Sequence, residues 1–151
     1  MAMILYGSPV QGNTDRVVVS LCDYSGNWPR PWADHGYTVL CYDLKHGDDV
    51  TRLTADMVMQ DAEAAVEEIL GRRADPRIAC VLAAPPCTDF TVSGAQYWKA
   101  KDADGRTAQS LAVLDACVRL ARALSPGCWA LENPVGRIPK LRPQYGRPEY
   151  Y

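Results

Sequence analysis

Short apolar runs that alternate with longer segments of helical periodicity constrain the fold of this chain more than any other feature. The strand-like runs are residues 17–21, 37–42, 78–83 and 128–131. The helical segments are residues 54–70 and 107–124, with a shorter one within 28–35. Because strands that alternate with helices form parallel sheets with right-handed crossovers, we predict an α/β fold with helices on both faces of the sheet.

The ends of the two long predicted helices carry residues that favour helix boundaries. Thr54 can cap the first helix and Gly71 follows its end, while Pro126 and Gly127 follow the second. Residues 3–6 have the composition of a further short strand, before the turn-forming residues 7–9. We expect a single domain over residues 1–151, with an N-terminal extension at 1–15 and a tail at 140–151.

The composition is typical of one compact globular domain. Of 151 residues, 48% are hydrophobic, which is enough to build a core. No apolar run approaches the roughly 20 residues of a membrane span, and the N-terminus lacks a signal-peptide pattern. We therefore expect a soluble cytoplasmic protein without a membrane partner.

The six cysteines lie far apart in the sequence. They include no Cys-x-x-Cys pair, and the chain has two histidines, so we predict no metal site. A disulfide framework belongs to small secreted chains, and most of these thiols lie in apolar runs typical of core residues. Cys87 is the exception.

The charge pattern does not mark a nucleic-acid-binding surface. The formal net charge is −2, whereas such surfaces are normally basic. The last stretch of the chain is more basic, since only Glu149 opposes Arg137, Lys140, Arg142 and Arg147. We interpret these cations as a solvated tail in preference to a set of phosphate contacts.

Polar residues follow the predicted strands at the points where each strand ends. They are Asp23 to Gly26, Asp43, Cys87 and Glu132. Because the carboxyl ends of parallel strands meet at one edge of a sheet, we expect these residues to converge there. This edge is therefore the predicted ligand site.

Two segments at this edge carry groups suited to catalysis. Pro85 and Pro86 impose an extended approach that fixes the position of the Cys87 thiol, a possible nucleophile. Glu132 follows an apolar strand and is a possible general acid or donor to a ring nitrogen. A cysteine in a tight turn and a glutamate in an exposed turn are the alternatives that the residues alone leave open.

Three segments of the chain resemble the DNA cytosine-5 methyltransferases. Residues 84–94 are similar to that family's Pro-Pro-Cys loop with its following Phe-Ser-x-x-Gly, and Asp104-Gly105-Arg106 resembles the acidic-Arg segment that opens its next helix. Glu132-Asn133-Pro134 resembles its Glu-Asn-Val signature. The resemblance covers roughly residues 17–139 and is closest to short, phage-type members. It implies a Rossmann-like sheet that binds S-adenosylmethionine, in a bacterial or phage-infected cell.

The resemblance implies a role for each catalytic candidate. Cys87 would add to C6 of cytosine, and Glu132 would contact the ring at N3 and the exocyclic amine. Asn133 would lock neighbouring loops by bonding to the backbone, and Arg106, with Lys99, would contact phosphate. Such a reaction implies a DNA partner whose target base is flipped out of the stack. The loop that could close over the base carries Gly94, Gln96, Tyr97 and Trp98.

The resemblance also implies which residues hold the cofactor. The first loop would surround the methionine part, Asp43 would bind the ribose hydroxyls and Asp49 would accept from the adenine amine. The full set of cofactor candidates is Asp23, Tyr24, Ser25, Gly26, Asn27, Trp28, Asp43, Leu44, Asp49, Val50 and Pro85.

The chain departs from the family pattern in its first loop and in its length. Of the family's loop glycines only Gly26 is kept, and no target-recognition domain follows residue 139. The shortened sheet should expose an edge strand that a partner chain or a second copy would cover. Two alternatives stay open, a binding module that has lost turnover and an enzyme that acts on free pyrimidine nucleotides.

Overall fold

A five-stranded mixed sheet forms the centre of the protein, which a computed structural model describes for residues 2–5 and 12–147. The strand order is β1-β3-β2-β4-β5, in which the four neighbours from β3 to β5 pair in parallel. The strands are β1 (Met3–Leu5), β2 (Arg16–Leu21), β3 (Thr38–Tyr42), β4 (Arg77–Ala83) and β5 (Cys128–Leu131). The arrangement is α/β and is compatible with a Rossmann-like fold, as the sequence predicts.

Helices cover both faces of the sheet, but unequally. Alternate residues of the buried strands face a large apolar cluster beneath α2 (Ala55–Leu70) and α4 (Arg106–Leu124). The opposite face packs against a smaller cluster around α1 (Arg30–Asp34). Two short helices, α3 (Trp98–Ala103) and α5 (Ile138–Leu141), lie close to the carboxyl edge. The expectation of helices on both faces is confirmed.

The predicted helix boundaries agree with the structure to within one residue. The Thr54 hydroxyl accepts a hydrogen bond from the Met57 amide at 3.2 Å and caps α2, which ends before Gly71 at φ +64°. Along α2, Val58, Ala62, Ala65 and Val66 are buried and Ile69 is half-buried. In α4, Leu114 is one of eight buried residues, whereas Leu111 is half-buried.

The N-terminal segment joins the sheet, and the short strand expected within residues 3–6 is confirmed at Met3–Leu5. Met3–Leu5 pairs antiparallel with β3, in register from Met3 opposite Cys41 to Leu5 opposite Val39. This strand makes the sheet mixed, whereas the sequence predicts a parallel one. The direction in which a three-residue apolar run pairs depends on its partner, so no local pattern reveals it. The expected turn at residues 7–9 lies outside the described residues.

Strand β5 forms the other edge of the sheet and is poorly covered. It pairs only with β4 among the described strands, and three of its four residues are exposed, including Trp129 at 45%. This exposure agrees with the expectation of an exposed edge strand. The expectation of buried thiols holds for Cys41, Cys80 and Cys117 but not for Cys128.

The interpretation of the C-terminal arginines as a solvated tail is wrong for two of them. Arg142 is half-buried and makes paired hydrogen bonds to Asp115 at 2.7 to 3.1 Å, and the Tyr145 hydroxyl donates to Asp115 at 2.6 Å. Arg137 is buried. Their acidic partners lie 27 and 35 positions away, so the basic run looks unpaired in the sequence. Lys140 and Arg147 are exposed.

No described helix has the length and apolar character that crossing a membrane requires. Within residues 2–5 and 12–147, no three His, Cys, Asp or Glu side chains are grouped so as to hold a metal ion.

Candidate active site

The four parallel strands end in one row. In register, Leu21 lies opposite both Tyr42 and Ala83, and Ala83 lies opposite Leu131. The backbone bonds continue past the strand ends, because the Glu132 amide donates to the Ala83 carbonyl at 2.8 Å. Loops that carry the predicted site residues therefore start side by side at the carboxyl edge. We call them the first loop (22–29), the second loop (43–54), the thiol loop (84–92) and the β5 loop (132–137).

The thiol loop folds into a tight turn around Cys87. The Cys87 carbonyl accepts from the amides of Phe90 at 2.9 Å and Thr91 at 3.1 Å, and the Cys87 side chain is half-buried. Phe90 is fully buried and anchors the turn in the core, while Pro85 is buried before it. The two prolines and Phe90 hold the backbone of this turn in place, and Cys87 keeps part of its surface exposed.

Asn133 connects the β5 loop to the thiol loop. Its side-chain amide donates to the Pro85 carbonyl at 3.1 Å, across two neighbouring strand ends. Its Oδ1 atom is buried and has no hydrogen-bond partner among the described residues. Glu132, one residue earlier, is exposed at the tip of β5. The structure thus brings the two predicted catalytic segments together, with an unused acceptor between them.

Asp89 braces the thiol loop against α3 and α4. It is 7% exposed, and its carboxylate accepts from the Lys101 ammonium at 2.8 Å and the Ser110 hydroxyl at 2.5 Å. Lys101 also donates to the Thr88 carbonyl at 2.7 Å. Burial tends to raise the pKa of Asp89, but the bonds from Lys101 and Ser110 outweigh it and the net pKa is lowered. Asp89 therefore stays ionised as part of the brace.

A short backbone ladder joins the thiol loop to the β5 loop. Thr91 forms an antiparallel bridge with Gly136, and the Arg137 amide donates to the Phe90 carbonyl at 2.9 Å. A Cβ atom on Gly136 would lie 1.9 Å from the Phe90 carbonyl oxygen. No side chain fits there, so the close approach of the two loops requires glycine.

The Arg137 side chain completes the connection. Its guanidinium donates to the Asp89 carbonyl at 3.0 Å, to both Asp102 oxygens at 2.9 and 2.8 Å and to the Thr107 hydroxyl at 2.8 Å. It also lies over the Trp98 ring, 4.7 Å from the centroid. The bond from Arg137 lowers the pKa of Asp102. One buried cation thus ties the thiol loop to α3 and α4.

Sequence reasoning missed Gly136 and the role of Arg137. A glycine four residues after Glu132 is a signal for a close backbone approach, although it does not reveal the partner. Nothing local to Arg137 marks it as buried, since its partners come from residues 89, 98, 102 and 107.

The segment expected to close over a base forms a 3₁₀ helix at Val92–Tyr97 that leads into α3. Gln96 and Tyr97 are exposed, Gly94 lies against the Thr88 carbonyl, and Trp98 is half-buried beneath Arg137. Lys99 is exposed in α3. Gln96 and Tyr97 therefore remain accessible for contact with a ligand, whereas the Trp98 ring is already packed.

Arg106 opens α4, as the sequence predicts, and its side chain is exposed. Its guanidinium pairs with Asp104, with a shortest contact of 2.6 Å. The bond with Asp104 raises the pKa of Arg106, and the nearby Asp89 adds to the effect. Arg106 thus faces solvent beside the thiol loop, where it is available to an anion that displaces Asp104.

Asp23 organises the first loop from within. One carboxylate oxygen accepts from the amides of Ser25 at 3.1 Å and Gly26 at 2.8 Å and from the Ser25 hydroxyl, and the other accepts from Ser20. Asp23 is 8% exposed. Gly26 has φ +64°, and a Cβ there would lie 2.9 Å from both Met3 and Leu5 of β1. The polar groups of Asp23 and Ser25 are therefore engaged in loop structure.

Other residues of the first loop differ in what they offer a ligand. Tyr24 is 53% exposed and Asn27 is exposed, whereas Trp28 packs against the smaller core cluster. The Tyr24 ring stacks on the His46 ring at 4.9 Å, and the Lys45 ammonium lies 4.8 Å from its centroid. This contact joins the first loop to the second loop.

The second loop carries two acidic residues predicted to contact the cofactor. Each of them uses one carboxylate oxygen in a local turn. Asp43 accepts from the Lys45 amide at 2.8 Å, and Asp49 accepts from the Thr51 amide at 3.0 Å and hydroxyl at 2.7 Å. The Thr51 hydroxyl and amide lower the pKa of Asp49. The second oxygen of each carboxylate has no hydrogen-bond partner among the described residues. Leu44 is 75% exposed, whereas the Val50 side chain is buried in the core.

Two open clefts lie at the opposite, amino edge of the sheet. One, of about 490 Å³, is lined by charged groups including Asp15, Arg72 and Arg77, and the other, of about 340 Å³, lies beside Trp32 and His35. None of the predicted site residues lines either cleft. The candidate site is an assembly of loop ends, and its chemistry, not its volume, singles it out.

Comparisons of the chain with family models, with curated proteins and with solved structures find no match.

Proposed function

We propose that the chain is an S-adenosylmethionine-dependent methyltransferase that acts on C5 of cytosine in DNA, with Cys87 as the nucleophile. One observation carries the proposal: the Asn133 amide bonds to the Pro85 carbonyl, which holds the Glu132 segment beside the Cys87 loop at adjacent strand ends. The same two segments carry the strongest resemblance to cytosine-5 methyltransferases. A thiol and a carboxylate at neighbouring strand ends are the groups that addition to a pyrimidine ring requires.

In the proposed reaction, Cys87 and Glu132 act on the pyrimidine ring and Asn133 holds their loops in position. The Cys87 sulfur bonds to C6 of the ring, while Glu132 contacts N3 and the exocyclic amine and stabilises the negative charge that develops. C5 then accepts a methyl group, which bound S-adenosylmethionine supplies. Water then takes the C5 proton, and the sulfur–C6 bond breaks with its electron pair returning to sulfur, which restores the Cys87 thiolate and the aromatic ring. Asn133 positions both loops throughout.

The donor set of the first and second loops fits a nucleoside-type cofactor. Asp43 follows β3 directly and, like Asp49, uses one carboxylate oxygen in its turn. The other oxygen of Asp43 would accept from ribose hydroxyls and that of Asp49 from an adenine amine. Tyr24 and Leu44 add exposed apolar surface between them. The methionine end would contact the first loop through its backbone and Asn27, because Asp23 is engaged internally.

A second candidate function is a module of the same fold that needs a partner chain for turnover. The exposure of Trp129 and the other outer residues of β5 favours this candidate. Strand β5 carries Glu132 at its end, so a partner that pairs with β5 would also order the proposed catalytic carboxylate. A second copy of the chain could provide the same cover.

Methyl transfer from labelled S-adenosylmethionine to DNA tests the proposal. We expect transfer by the native chain, loss of all transfer in Cys87→Ala, and transfer retained in Cys128→Ser, in which a thiol distant from the thiol loop is changed. Mass spectrometry of the protein with DNA that contains 5-fluorocytosine should show a covalent adduct on Cys87, because fluorine at C5 blocks release.

Other outcomes distinguish the alternatives. Cofactor binding without transfer would favour the partner-dependent module, and transfer to free cytidine nucleotides in place of DNA would favour a nucleotide enzyme. Undiminished transfer by Cys87→Ala would exclude the proposed mechanism.

A further inference from the structure

Two thiols from distant parts of the chain lie in contact at the start of the first loop. The sulfur atoms of Cys22 and Cys117 are 3.9 Å apart, although the residues are separated by 95 positions. Cys22 is the first residue after β2, and Cys117 lies in the middle of α4. Both are free thiols. The pair joins the loop that holds the proposed cofactor to one of the two long core helices.

We propose that Cys22 and Cys117 form a reversible disulfide when the protein meets a small-molecule disulfide, and that this bond regulates the first loop. The regulatory part rests on the proposed function, whereas formation of the bond does not. Residues of α4 and the β2 end already touch, so closing the bond requires only a local shift. The two sulfur atoms of a disulfide are about 2 Å apart. To form the bond, each sulfur atom must therefore move by roughly 1 Å toward the other, or one of them must move by about 2 Å.

The surroundings decide which thiol reacts first. Cys22 is half-buried, whereas Cys117 is fully buried. The contact with Cys22, followed by burial, raises the pKa of the Cys117 thiol. Cys22 is therefore the attacking thiol and Cys117 the resolving one.

The reaction balances without any group beyond the named oxidant. The Cys22 thiolate attacks one sulfur of the small disulfide, forms a mixed disulfide and expels one thiolate. The Cys117 sulfur then attacks the Cys22 sulfur as its proton passes to a thiolate or water, and the second small thiolate leaves. The net change is two protein thiols oxidised to one disulfide and one small disulfide reduced to two thiols.

The backbone indicates which side moves when the bond forms. Cys117 is held in a 19-residue helix with its side chain in the core. Cys22 has φ +59°, a left-handed conformation that non-glycine residues rarely adopt, and it precedes Asp23, which organises the first loop. The shift therefore falls on Cys22 and displaces the Asp23 bonds to Ser25 and Gly26. Oxidation should weaken the first loop's hold on the cofactor.

Oxidation of the folded chain with oxidised glutathione, followed by alkylation and peptide mapping, tests the bond. We expect a linked pair of peptides that contain Cys22 and Cys117, and two fewer alkylated thiols than in the reduced protein. Cys22→Ala and Cys117→Ala should each abolish the link, and dithiothreitol should reverse it. Cys128→Ser is the matched control, because it removes an exposed thiol elsewhere and should leave the link intact.

Two results would overturn the inference. One is a folded, oxidised protein in which Cys22 and Cys117 stay free or carry only glutathione. The other, against the regulatory part, is an unchanged affinity for S-adenosylmethionine by calorimetry, where we expect the linked form to bind at least about tenfold more weakly than the reduced form. Failure of the reduced protein to bind S-adenosylmethionine would instead count against the proposed function, while the peptide map would still report on the bond.

Discussion

The two halves of the carboxyl edge are held together in different ways. On the side that we propose binds the base, here called the base side, the thiol loop and the β5 loop are joined by a backbone ladder, by Arg137 and by Asn133, all between residues that are 40 or more positions apart. On the side that we propose binds the cofactor, here called the cofactor side, Asp23, Asp43 and Asp49 each stabilise a turn two or three residues away. The base side is therefore braced by contacts over more than 40 positions, whereas the three carboxylates of the cofactor side stabilise local turns.

The difference indicates where the site is rigid and where it can adjust. A nucleophile must hold its position relative to the ring it attacks, so long-range bracing suits the base side. A loop that must admit and release a cofactor gains from local turns that open separately from the core. The Cys22–Cys117 pair lies beneath the adjustable half.

The largest expected effect comes from closing the space between the braced loops. Gly136→Ala places a Cβ atom 1.9 Å from the Phe90 oxygen, so the ladder must separate. We expect a loss of more than about 4 kcal/mol in the free energy of unfolding, measured by urea denaturation. Gly47→Ala is the control on the cofactor side, because its Cβ meets nothing within 4 Å. Its left-handed φ should cost only about 1 kcal/mol. Equal losses in the free energy of unfolding for Gly136→Ala and Gly47→Ala would contradict the difference between the two sides.

The Arg137 side chain is the next strongest brace. Arg137→Ala leaves buried acceptors at Asp89 and Thr107 without their donor, and we expect a loss of about 3 kcal/mol in the free energy of unfolding. Arg137→Lys should recover part of it but not the paired bonds to Asp102. The rate at which iodoacetamide alkylates Cys87 should rise in Arg137→Ala, since the thiol loop loosens. A stable variant with unchanged alkylation would show that Arg137 does not hold the loop.

On the cofactor side, Asp23→Ala should have a smaller and more local effect. It leaves the Ser25 and Gly26 amides without their acceptor, at a cost of about 1 to 2 kcal/mol. Hydrogen exchange should accelerate at residues 24–28 and remain unchanged at residues 88–92. Asp23→Asn, which keeps one acceptor oxygen, is the conservative control. Faster exchange across both loops would show that the two halves are not separate.

Local patterns in the sequence predict most of the fold. Strand and helix periods, with Thr54 and Gly71 at the ends of α2, depend on neighbouring residues and agree with the structure. The antiparallel pairing of β1 is not predictable in this way, because nothing within Met3–Leu5 determines the direction of its partner.

In the candidate site, too, local features are predictable from the sequence and long-range contacts are not. Cys87 and Glu132 are placed correctly at strand ends because a parallel sheet gathers its carboxyl ends at one edge. The burial of Arg137 and the contact of Gly136 with Phe90 arise from long-range packing, so the sequence suggests a solvated tail where the structure has a brace.

The smallest expected effect concerns the Asp49 turn in the second loop. The hydroxyl and amide of Thr51 lower the pKa of Asp49 below its ordinary value of 3.8. A carboxyl group whose pKa is lowered in the folded state stabilises the fold at pH values above its unfolded-state pKa. This contribution disappears as the pH falls through the folded-state pKa.

Thr51→Val removes the hydroxyl bond, so the pKa of Asp49 should rise partway toward 3.8, as followed by carbon NMR of its carboxyl group. Thr51→Ser should keep the low value. The difference in the free energy of unfolding between Thr51→Val and the native chain should be present at neutral pH. It should vanish at a pH low enough to protonate Asp49 in both proteins. A gap that persists in strong acid would mean that Thr51 acts through packing, and that the cofactor-side turn does not depend on the charge of Asp49.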